Sequence, residues 1–300
     1  MMKRTLSSAS RMVTQQIRHH YRRYHQLQVF LHASRSPSNR SLRQATRCIC
    51  HDGGDGRQGN YFDRPFWDAT YASESQPLEW YQSYSELSPL LKQYIPSCSR
   101  ILMSGCGNSE FSEDMVKDGF KEIVNIDISS VVIEAMKKKY QNVPELKYMT
   151  MDALDMSSFE EGSFDCVIDK GTLDAIMCVA GGPYNIAMML AENARVLKAG
   201  GVYMLISFAG PELSLPLLNR DAFGWSIDTH VLYKRSSKEG CPEAYSEPIL
   251  LNVKGAHDKH QRMRLTDSLY IYMCTKHPDC VQGVSLEAAL LYTLLGSEIV

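Results

Sequence analysis

Acidic residues are absent from the first 51 positions of this 300-residue chain, which carry ten Lys or Arg. The positions that follow hold 22 basic and 34 acidic residues, a formal charge of −12. A segment rich in Arg and Ser and devoid of acids is typical of an organelle transit peptide. We therefore expect residues 1–59 to be a disordered extension or a transit peptide, and residues 60–300 to fold. A transit peptide would direct the protein to a mitochondrion or plastid; without one, we expect a cytoplasmic protein.

Three other kinds of pattern are missing from the chain. No run of 18 apolar residues exists, so we expect neither a transmembrane helix nor a membrane partner. The nine cysteines include no C-x-x-C pair, and His257 and His260 are too few to form a metal site, so no metal is expected. The basic segment shows no aromatic stacking pattern, so nucleic acid is not expected as a partner.

A glycine turn is the most informative pattern that is present. The strand-like run at residues 100–104 breaks at Gly105-Cys106-Gly107, and a second apolar run ends at Asp127, 20 residues after Gly107. Glycine lacks a Cβ, so its backbone can turn sharply and lie against a ligand. A carboxylate at the end of the next strand can accept two ribose hydroxyls. These residues predict a nucleoside-binding pocket; the alternative is a strand–turn–helix corner without a ligand.

The third glycine of dinucleotide-binding turns is missing from this motif. Glu110 stands in its place, and a carboxylate at the start of a helix would repel a phosphate. S-Adenosylmethionine contains an adenosine but no phosphate. The turn therefore favours this cofactor over NAD or FAD, and it disfavours hydride transfer.

Apolar runs with strand-like and helix-like spacing alternate after residue 60. We predict strands at residues 100–104, 122–126, 146–150, 164–168, 202–207, 227–233 and 269–274, the last two as an antiparallel hairpin at the sheet edge. We predict helices at residues 84–95, 109–118, 130–140, 184–198 and 285–295, and a long loop at 235–262. Strands that alternate with helices over short loops form a parallel, doubly wound sheet. The predicted fold class is therefore α/β, a Rossmann-like sheet of seven strands with helices on both faces.

Glycine or an acid ends four successive predicted strands. The four are Gly105, Asp127, Asp152 and Asp169. In a doubly wound sheet these ends surround one crevice, although a solvated acid is the alternative for any one of them. Asp152 would accept the adenine amine, while the N–H of Ala153 donates to a ring nitrogen. Asp169 and Asp174 would lie near a reacting amine, so they are the candidate catalytic residues.

Two aromatic clusters precede the glycine turn, at residues 66–71 and 78–81. Aromatic faces attract a sulfonium or ammonium cation, and a segment ahead of the sheet can fold over its crevice. Trp67, Tyr71 and Trp80 are therefore candidate lid residues. The alternative is that these aromatic side chains pack on the first helix.

Together the motifs resemble those of the seven-β-strand lysine methyltransferases. They are W-D-x-x-Y, E-W-Y, L-M-S-G-C-G-N-S, I-D-I-S-S-V-V-I, M-D-A and D-K-G-T-L-D, all within residues 61–235. Within this family they are similar to the group that acts on elongation factor 1A, to which a mitochondrial citrate synthase methyltransferase is related. Asp169 stands where the family usually has Glu, and Ser104 stands where it usually has a larger apolar residue.

The resemblance implies methyl transfer from S-adenosylmethionine to a lysine ε-amine of a protein substrate. The cofactor contacts that it implies are Trp67, Tyr71, Trp80, Gly105, Asp127, Ile128, Asp152, Ala153 and Lys170. Gly107, the second glycine of the turn, is a further candidate contact. A solvated lysine at the end of a strand is the alternative for Lys170. A small-molecule acceptor remains an alternative because the fold does not determine the acceptor, and a non-catalytic binding module is another.

Overall fold

Alternating strands and helices form one mixed sheet in the computed structural model, which describes residues 63–73, 76–177, 182–219, 221–233, 246–251 and 268–279. The strands are β1 (Arg100–Ser104), β2 (Glu122–Asp127), β3 (Leu146–Thr150), β4 (Phe164–Lys170), β5 (Leu197–Ser207), β6 (Trp225–Tyr233), β7 (Ile249–Leu250) and β8 (Ser268–Lys276). The helices are α1 (Arg64–Ser73), α2 (Tyr84–Tyr94), α3 (Phe111–Lys117), α4 (Ser130–Lys139), α5 (Thr172–Met177), α6 (Gly182–Val196) and α7 (Pro211–Leu218). The basic segment 1–59, the predicted helix 285–295, His257 and His260 lie outside the described residues.

The order of the strands places a ligand crevice at the end of β1. The order is β3-β2-β1-β4-β5-β8-β6-β7, and β1 to β5 run parallel to one another. The chain moves outward from β1 to β3 and then returns on the other side of β1 as β4. The order reverses between β1 and β4, where Ser104 pairs with Asp169. Open α/β sheets bind ligands at such a point, beyond the carboxyl ends of the strands. The predicted Rossmann-like α/β fold is confirmed.

Helices cover both faces of the sheet because the side chains of each strand alternate between two apolar clusters. Ile101 and Met103 of β1 pack with residues of α2, α3 and α4 on one face. Leu102 points to the other face, where it joins residues of α5, α6 and α7. Burying each of these side chains contributes roughly 1.5–3 kcal/mol. The two layers therefore hold the central strands, and with them the strand ends, in fixed positions.

Helix α4 begins beside the end of β2 because its first turn is capped. The Oγ of Ser129 accepts a hydrogen bond from the N–H of Val132 at 3.3 Å. Such a cap satisfies one of the four N–H groups that lack partners at a helix start. Val132, Ile133 and Met136 then pack in the core, while Lys137, Lys138 and Lys139 form the last turn. Cations at a helix C-terminus are favourable because of the helix dipole.

The sheet contains an eighth strand, so the prediction of seven strands is wrong by one. β7 is only two residues long and pairs with His230 and Val231 at the outer side of β6. It lies within residues 235–262, which the sequence predicts as a loop, because two residues are too few to show an alternating pattern. The predicted antiparallel pairing of the two late strands is confirmed, but β8 lies between β5 and β6 rather than at the edge.

Helix α6 ends earlier than predicted, and a lysine rather than a glycine motif satisfies its last carbonyls. The spacing predicts a helix over 184–198, but β5 already begins at Leu197. The buried ammonium of Lys276 donates hydrogen bonds to the carbonyls of Ala194 and Leu197, both at 2.8 Å. These bonds satisfy carbonyls at the helix end, which a glycine motif would otherwise satisfy. Gly200, with a φ of +75°, lies within β5 instead.

Neither a membrane-crossing helix nor a metal cluster is found in the part of the chain that the structure describes. Over those ranges, every helix is too short or too polar to cross a membrane. Within the same residues, no group of three or more His, Cys, Asp or Glu side chains could hold a metal ion.

Candidate active site

The glycine turn follows β1 and is fixed to β2 by two hydrogen bonds. The N–H groups of Gly105 and Cys106 both donate to the carbonyl of Ile126, at 2.9 Å. Gly105 and Gly107 have φ angles of +73° and +53°, which glycine adopts without a steric penalty. A Cβ on Gly105 would lie 1.9 Å from Oγ1 of Thr172, at the start of α5. The turn therefore requires glycine at position 105, because the backbone packs closely against Thr172.

Asp127 lies at the end of β2, and its carboxylate holds the glycine turn. Oδ2 accepts from the N–H of Gly107 and Oδ1 from the N–H of Ser129, both at 2.9 Å. The residue is only 7% exposed, and burial raises the pKa of its carboxyl to about 6. Each carboxylate oxygen has two lone pairs, so the group can still accept hydrogen bonds from a pair of hydroxyls.

Helix α1 covers the turn with an aromatic pair. The rings of Trp67 and Tyr71 stack with 5.7 Å between their centroids. The hydroxyl oxygen of Tyr71 lies 2.6 Å from the position that a Cβ on Gly107 would take. Asp68 accepts a hydrogen bond from Oγ of Ser129 at 2.6 Å, which anchors α1 at the start of α4. Tyr71 also packs against the apolar cluster on this face, so it both covers the turn and extends the core.

Residues 76–81 form a second cover over the turn. The side-chain oxygen of Asn108 accepts from the N–H of Leu78 at 2.8 Å. The hydroxyl of Ser109 donates to the carboxylate of Glu79 at 2.7 Å. Asn108 and Ser109, which follow the glycine turn, therefore bind the segment that carries Trp80.

Lys170, the last residue of β4, is buried beneath the second cover. Its side chain is 6% exposed, and its ammonium forms an ion pair with the carboxylate of Glu79. It also donates to the carbonyl of Trp80 at 2.7 Å and lies 5.5 Å from the centroid of the Phe111 ring. Burial lowers the pKa of Lys170, and the neighbouring Glu79 carboxylate opposes this effect. The interpretation of Lys170 as a solvated lysine is therefore wrong.

Asp169 is fully buried and supports the start of α5. Its carboxylate accepts from the N–H groups of Thr172 at 2.9 Å and Leu173 at 3.2 Å, and from the hydroxyl of Tyr203 at 3.0 Å. Burial, followed by the nearby Asp174 carboxylate, raises the pKa of Asp169 to about 7. These hydrogen bonds give Asp169 a structural role, and a direct catalytic role stays a prediction.

Asp174, on α5, is also buried and joins three segments. Its carboxylate accepts from the hydroxyls of Ser207 and Tyr81, both at 2.5 Å, and from the N–H of Phe208 at 3.1 Å. Burial raises the pKa of this carboxyl. Tyr81 has a φ of +66°, and among the described residues it is the one non-glycine residue with a positive φ. That conformation costs about 1–2 kcal/mol, so the surrounding contacts must hold it. A catalytic role for Asp174 likewise stays a prediction.

Asp152 and Ala153 follow β3 at the same edge of the sheet. Asp152 is exposed, and its carboxylate accepts from the N–H of Leu154 at 2.9 Å, whereas Ala153 is buried. The N–H of Met151 donates to the carbonyl of Asp127 at 2.9 Å, which ties this segment to the end of β2. Ile128, the residue after Asp127, is half-buried.

The predicted site residues fall into three groups in the structure. Gly107 contacts both Asp127 and Tyr71, Lys170 lies under the segment of Trp80, and Asp152 with Ala153 occupies the neighbouring strand end. Sequence reasoning missed the polar residues that join these groups. They are Asp68, Glu79, Tyr81, Ser129 and Thr172. All five lie within the motifs quoted above. Their position next to a predicted site residue is the feature of the sequence that could have identified them.

The site fits a nucleoside cofactor that has no phosphate. The turn is bare, and the carboxylate of Asp127 retains lone pairs for two hydroxyls. Glu110 stands immediately before the first residue of α3, with its carboxylate bound to Lys139 at 2.7 Å. An acid at that helix start disfavours the pyrophosphate of a dinucleotide. S-Adenosylmethionine has two ribose hydroxyls and no phosphate, so it meets both conditions.

Comparisons with known proteins find similar methyltransferases. A methyltransferase domain family matches residues 102–205. EEF1A lysine methyltransferase 4 of Mus musculus is 35% identical over 187 residues, which cover 59% of this chain and 71% of that protein. The eEF1A lysine and N-terminal methyltransferase of Homo sapiens is 37% identical over 170 residues, 55% of this chain and 24% of that protein. The chain thus spans about a quarter of this longer relative.

Solved structures include similar folds at lower identity. A SAM-dependent methyltransferase from Methanosarcina mazei matches with a TM-score of 0.43 and 16% identity, over 63% of this chain and 97% of that one.

Proposed function

The chain belongs to the family of the EEF1A lysine methyltransferases, and we propose that it transfers methyl groups from S-adenosylmethionine to a lysine ε-amine of elongation factor 1A. The hydrogen bond between Gly107 and Asp127 carries the cofactor part of this proposal, because it places a buried carboxylate against a bare glycine turn. The substrate is proposed from the names of the relatives. A lysine of an organelle protein is the second candidate, because of the composition of residues 1–59.

The residues of the crevice would bind different parts of the cofactor. Asp127 would accept the two ribose hydroxyls, with Ile128 beside it. Asp152 would accept the adenine amine, while the N–H of Ala153 donates to a ring nitrogen. The bare backbone at Gly105 and Gly107 would admit the remainder of the molecule. Trp67, Tyr71, Trp80 and Lys170 would cover it, because their segments already meet over the turn.

Methyl transfer requires alignment and a neutral amine. When bound, the cofactor supplies a methyl carbon on a sulfonium, which the amine lone pair takes as the carbon–sulfur bond breaks and its electrons pass to sulfur. Lysine is protonated at neutral pH, so the protein must favour the neutral amine by desolvation. Asp169 and Asp174 are buried and bound to neighbouring groups, so loss of the amine proton to water is the simpler route.

A methyl-transfer assay tests the proposed acceptor. The full chain is incubated with radiolabelled S-adenosylmethionine and purified elongation factor 1A, and mass spectrometry locates the label. Label on a lysine supports the proposal, and an unlabelled factor contradicts it. A cell extract is treated in parallel: label in another protein would redirect the assignment, and label only in small molecules would favour the small-molecule alternative. A chain that binds the cofactor but labels nothing would favour a binding module.

We also propose that residues 1–59 direct the protein to an organelle. The support is the absence of acids and the abundance of Arg and Ser in this segment. A fusion of residues 1–60 to a fluorescent reporter should enter mitochondria or plastids. A diffuse cytosolic signal would contradict the proposal and favour the cytoplasmic alternative.

A further inference from the structure

An aromatic pair lies at the carboxyl ends of β4 and β5, and neither of its residues is among the proposed cofactor contacts. The rings of Tyr81 and Phe208 meet edge to face, with 4.4 Å between their centroids and an interplanar angle of 71°. A carbon of the Tyr81 ring lies 3.3 Å from the position that a Cβ on Gly171 would take. Phe208 is 37% exposed although it is a large apolar side chain. The pair therefore presents apolar surface next to Lys170, beside the reversal point of the sheet.

The hydroxyl of Tyr81 has a fixed direction. It donates its proton to Oδ2 of Asp174 at 2.5 Å. That carboxylate is itself fixed, because Ser207 and the N–H of Phe208 also donate to it. A phenol has a single proton, so towards a group in the crevice the oxygen of Tyr81 acts as a hydrogen-bond acceptor.

The backbone at Tyr81 is strained, which points to a function. Its φ of +66° is a conformation that tyrosine rarely adopts. Such strain persists only where the surroundings enforce it, and it is concentrated at functional sites. Tyr81 is the last residue of the cover segment, and its ring lies against Phe208 and close to Gly171, at the ends of β5 and β4.

We propose that Tyr81 and Phe208 form the slot that receives the acceptor lysine. This inference rests on the proposed lysine methylation. The two rings would flank the methylene groups of the lysine, and the oxygen of Tyr81 would accept a hydrogen bond from the ε-nitrogen. The nitrogen lone pair then forms the new bond to the methyl carbon, the electrons of the carbon–sulfur bond go to sulfur, and one proton leaves the nitrogen for water. The Tyr81 hydroxyl keeps its proton, which it donates in the hydrogen bond to Asp174, so Tyr81 positions the amine and is not the base.

A binding experiment tests the slot without a protein substrate. The full chain, saturated with S-adenosylhomocysteine, is titrated with n-butylamine as a mimic of the lysine side chain and followed by NMR. Tyr81→Phe should weaken the binding of butylamine about tenfold, the loss of one hydrogen bond to a charged group. Phe208→Ala should also weaken it, by removing one wall. Phe208→Ala should not change the affinity for S-adenosylhomocysteine by more than about twofold, and saturation with this ligand removes the effect of any loss of cofactor affinity in Tyr81→Phe.

Tyr84→Phe is the matched control. Tyr84 also donates to a carboxylate, that of Asp118 at 2.6 Å, but it lies on α2 and packs against Phe111 in the core. Its variant should bind butylamine as the wild type does. Equal butylamine binding by the wild type, Tyr81→Phe and Phe208→Ala would overturn the slot, as would an equal effect of Tyr84→Phe. If Tyr81→Phe does not fold, Phe208→Ala decides.

Methyl transfer to elongation factor 1A separates this inference from the proposed function. If the wild type labels the factor, Tyr81→Phe should lower kcat/KM about tenfold or more, and Tyr84→Phe should not. A wild-type rate in Tyr81→Phe would overturn the slot while the proposed function stands. If the wild type leaves the factor unlabelled but the butylamine results are as expected, the proposed substrate fails and the slot stands.

Discussion

The N–H of Gly107 donates a 2.9 Å hydrogen bond to the carboxylate of Asp127, 20 residues later in the chain. The same carboxylate accepts the N–H of Ser129, whose hydroxyl donates to Asp68 on α1. The glycine turn, the start of α4 and helix α1 are thus joined through the buried carboxylate of Asp127. Hydroxyls that bind Asp127 would bind at the centre of this network, so cofactor binding and the position of α1 should be linked.

Replacing Asp127 should greatly weaken cofactor binding. Asp127→Ala removes the acceptor of two ribose hydroxyls, and two hydrogen bonds to a charged group correspond to an affinity loss of about 100-fold or more. Calorimetry with S-adenosylmethionine measures the change, and circular dichroism verifies the fold. Asp118→Ala is the control, because that carboxylate binds Tyr84 and Lys92 away from the turn. Equal affinity of Asp127→Ala and the wild type would refute the assignment of the pocket.

Cofactor affinity should fall in mild acid. The pKa of the Asp127 carboxyl is raised by burial to about 6 in the free protein. Only the ionised carboxylate can accept both hydroxyls, so affinity should be constant above pH 7. Below pH 6 it should fall by up to about tenfold per pH unit, because binding must then release a proton. Calorimetric titrations from pH 5 to pH 8 measure this; a flat profile in the wild type, or a sloping one in Asp127→Asn, would contradict the prediction.

A side chain at Gly105 should destabilise the protein more than one at Gly200. Both residues have similar φ angles, +73° and +75°, so both alanine variants carry the same backbone strain of about 1–2 kcal/mol. A Cβ on Gly105 would collide with Thr172, whereas one on Gly200 meets nothing within 4 Å. Gly105→Ala should therefore lose a further 1–3 kcal/mol or so of unfolding free energy from overpacking, measured in urea. Equal losses in the two variants would show that the turn tolerates a side chain.

Local patterns were sufficient to predict the centre of the site. Gly105 and Gly107 need positive φ angles, and Asp127 follows an apolar run, so all three are visible in short stretches of sequence. The parallel sheet follows from the alternation of strands and helices. These features depend on residues near one another in the chain, which is why the fold, the glycine turn and the acid beside it could be predicted together.

Contacts between distant residues could not be predicted in the same way. Tyr81 and Asp174 are 93 positions apart, and Lys276 caps α6 from 82 positions away. Helices α1 and α5 were not predicted: α5 has only six residues, fewer than two turns, and α1 buries none of its residues fully. The contacts that hold the cover on the turn are therefore the main feature that could not be predicted from the sequence.

The ion pair between Glu79 and Lys170 should stabilise the cover, and Glu79→Gln tests this. The variant keeps an acceptor oxygen but leaves the buried Lys170 ammonium without a counter-charge, so the unfolding free energy in urea should fall by about 1–3 kcal/mol. Glu134→Gln is the matched control, because Glu134 pairs with Lys137 at 2.9 Å with both side chains exposed. An exposed pair contributes little, so that variant should lose less than about 0.5 kcal/mol. Losses of equal size would mean that the buried pair does not hold the cover. The assignment of residues 76–81 as a cover would then lose its main support.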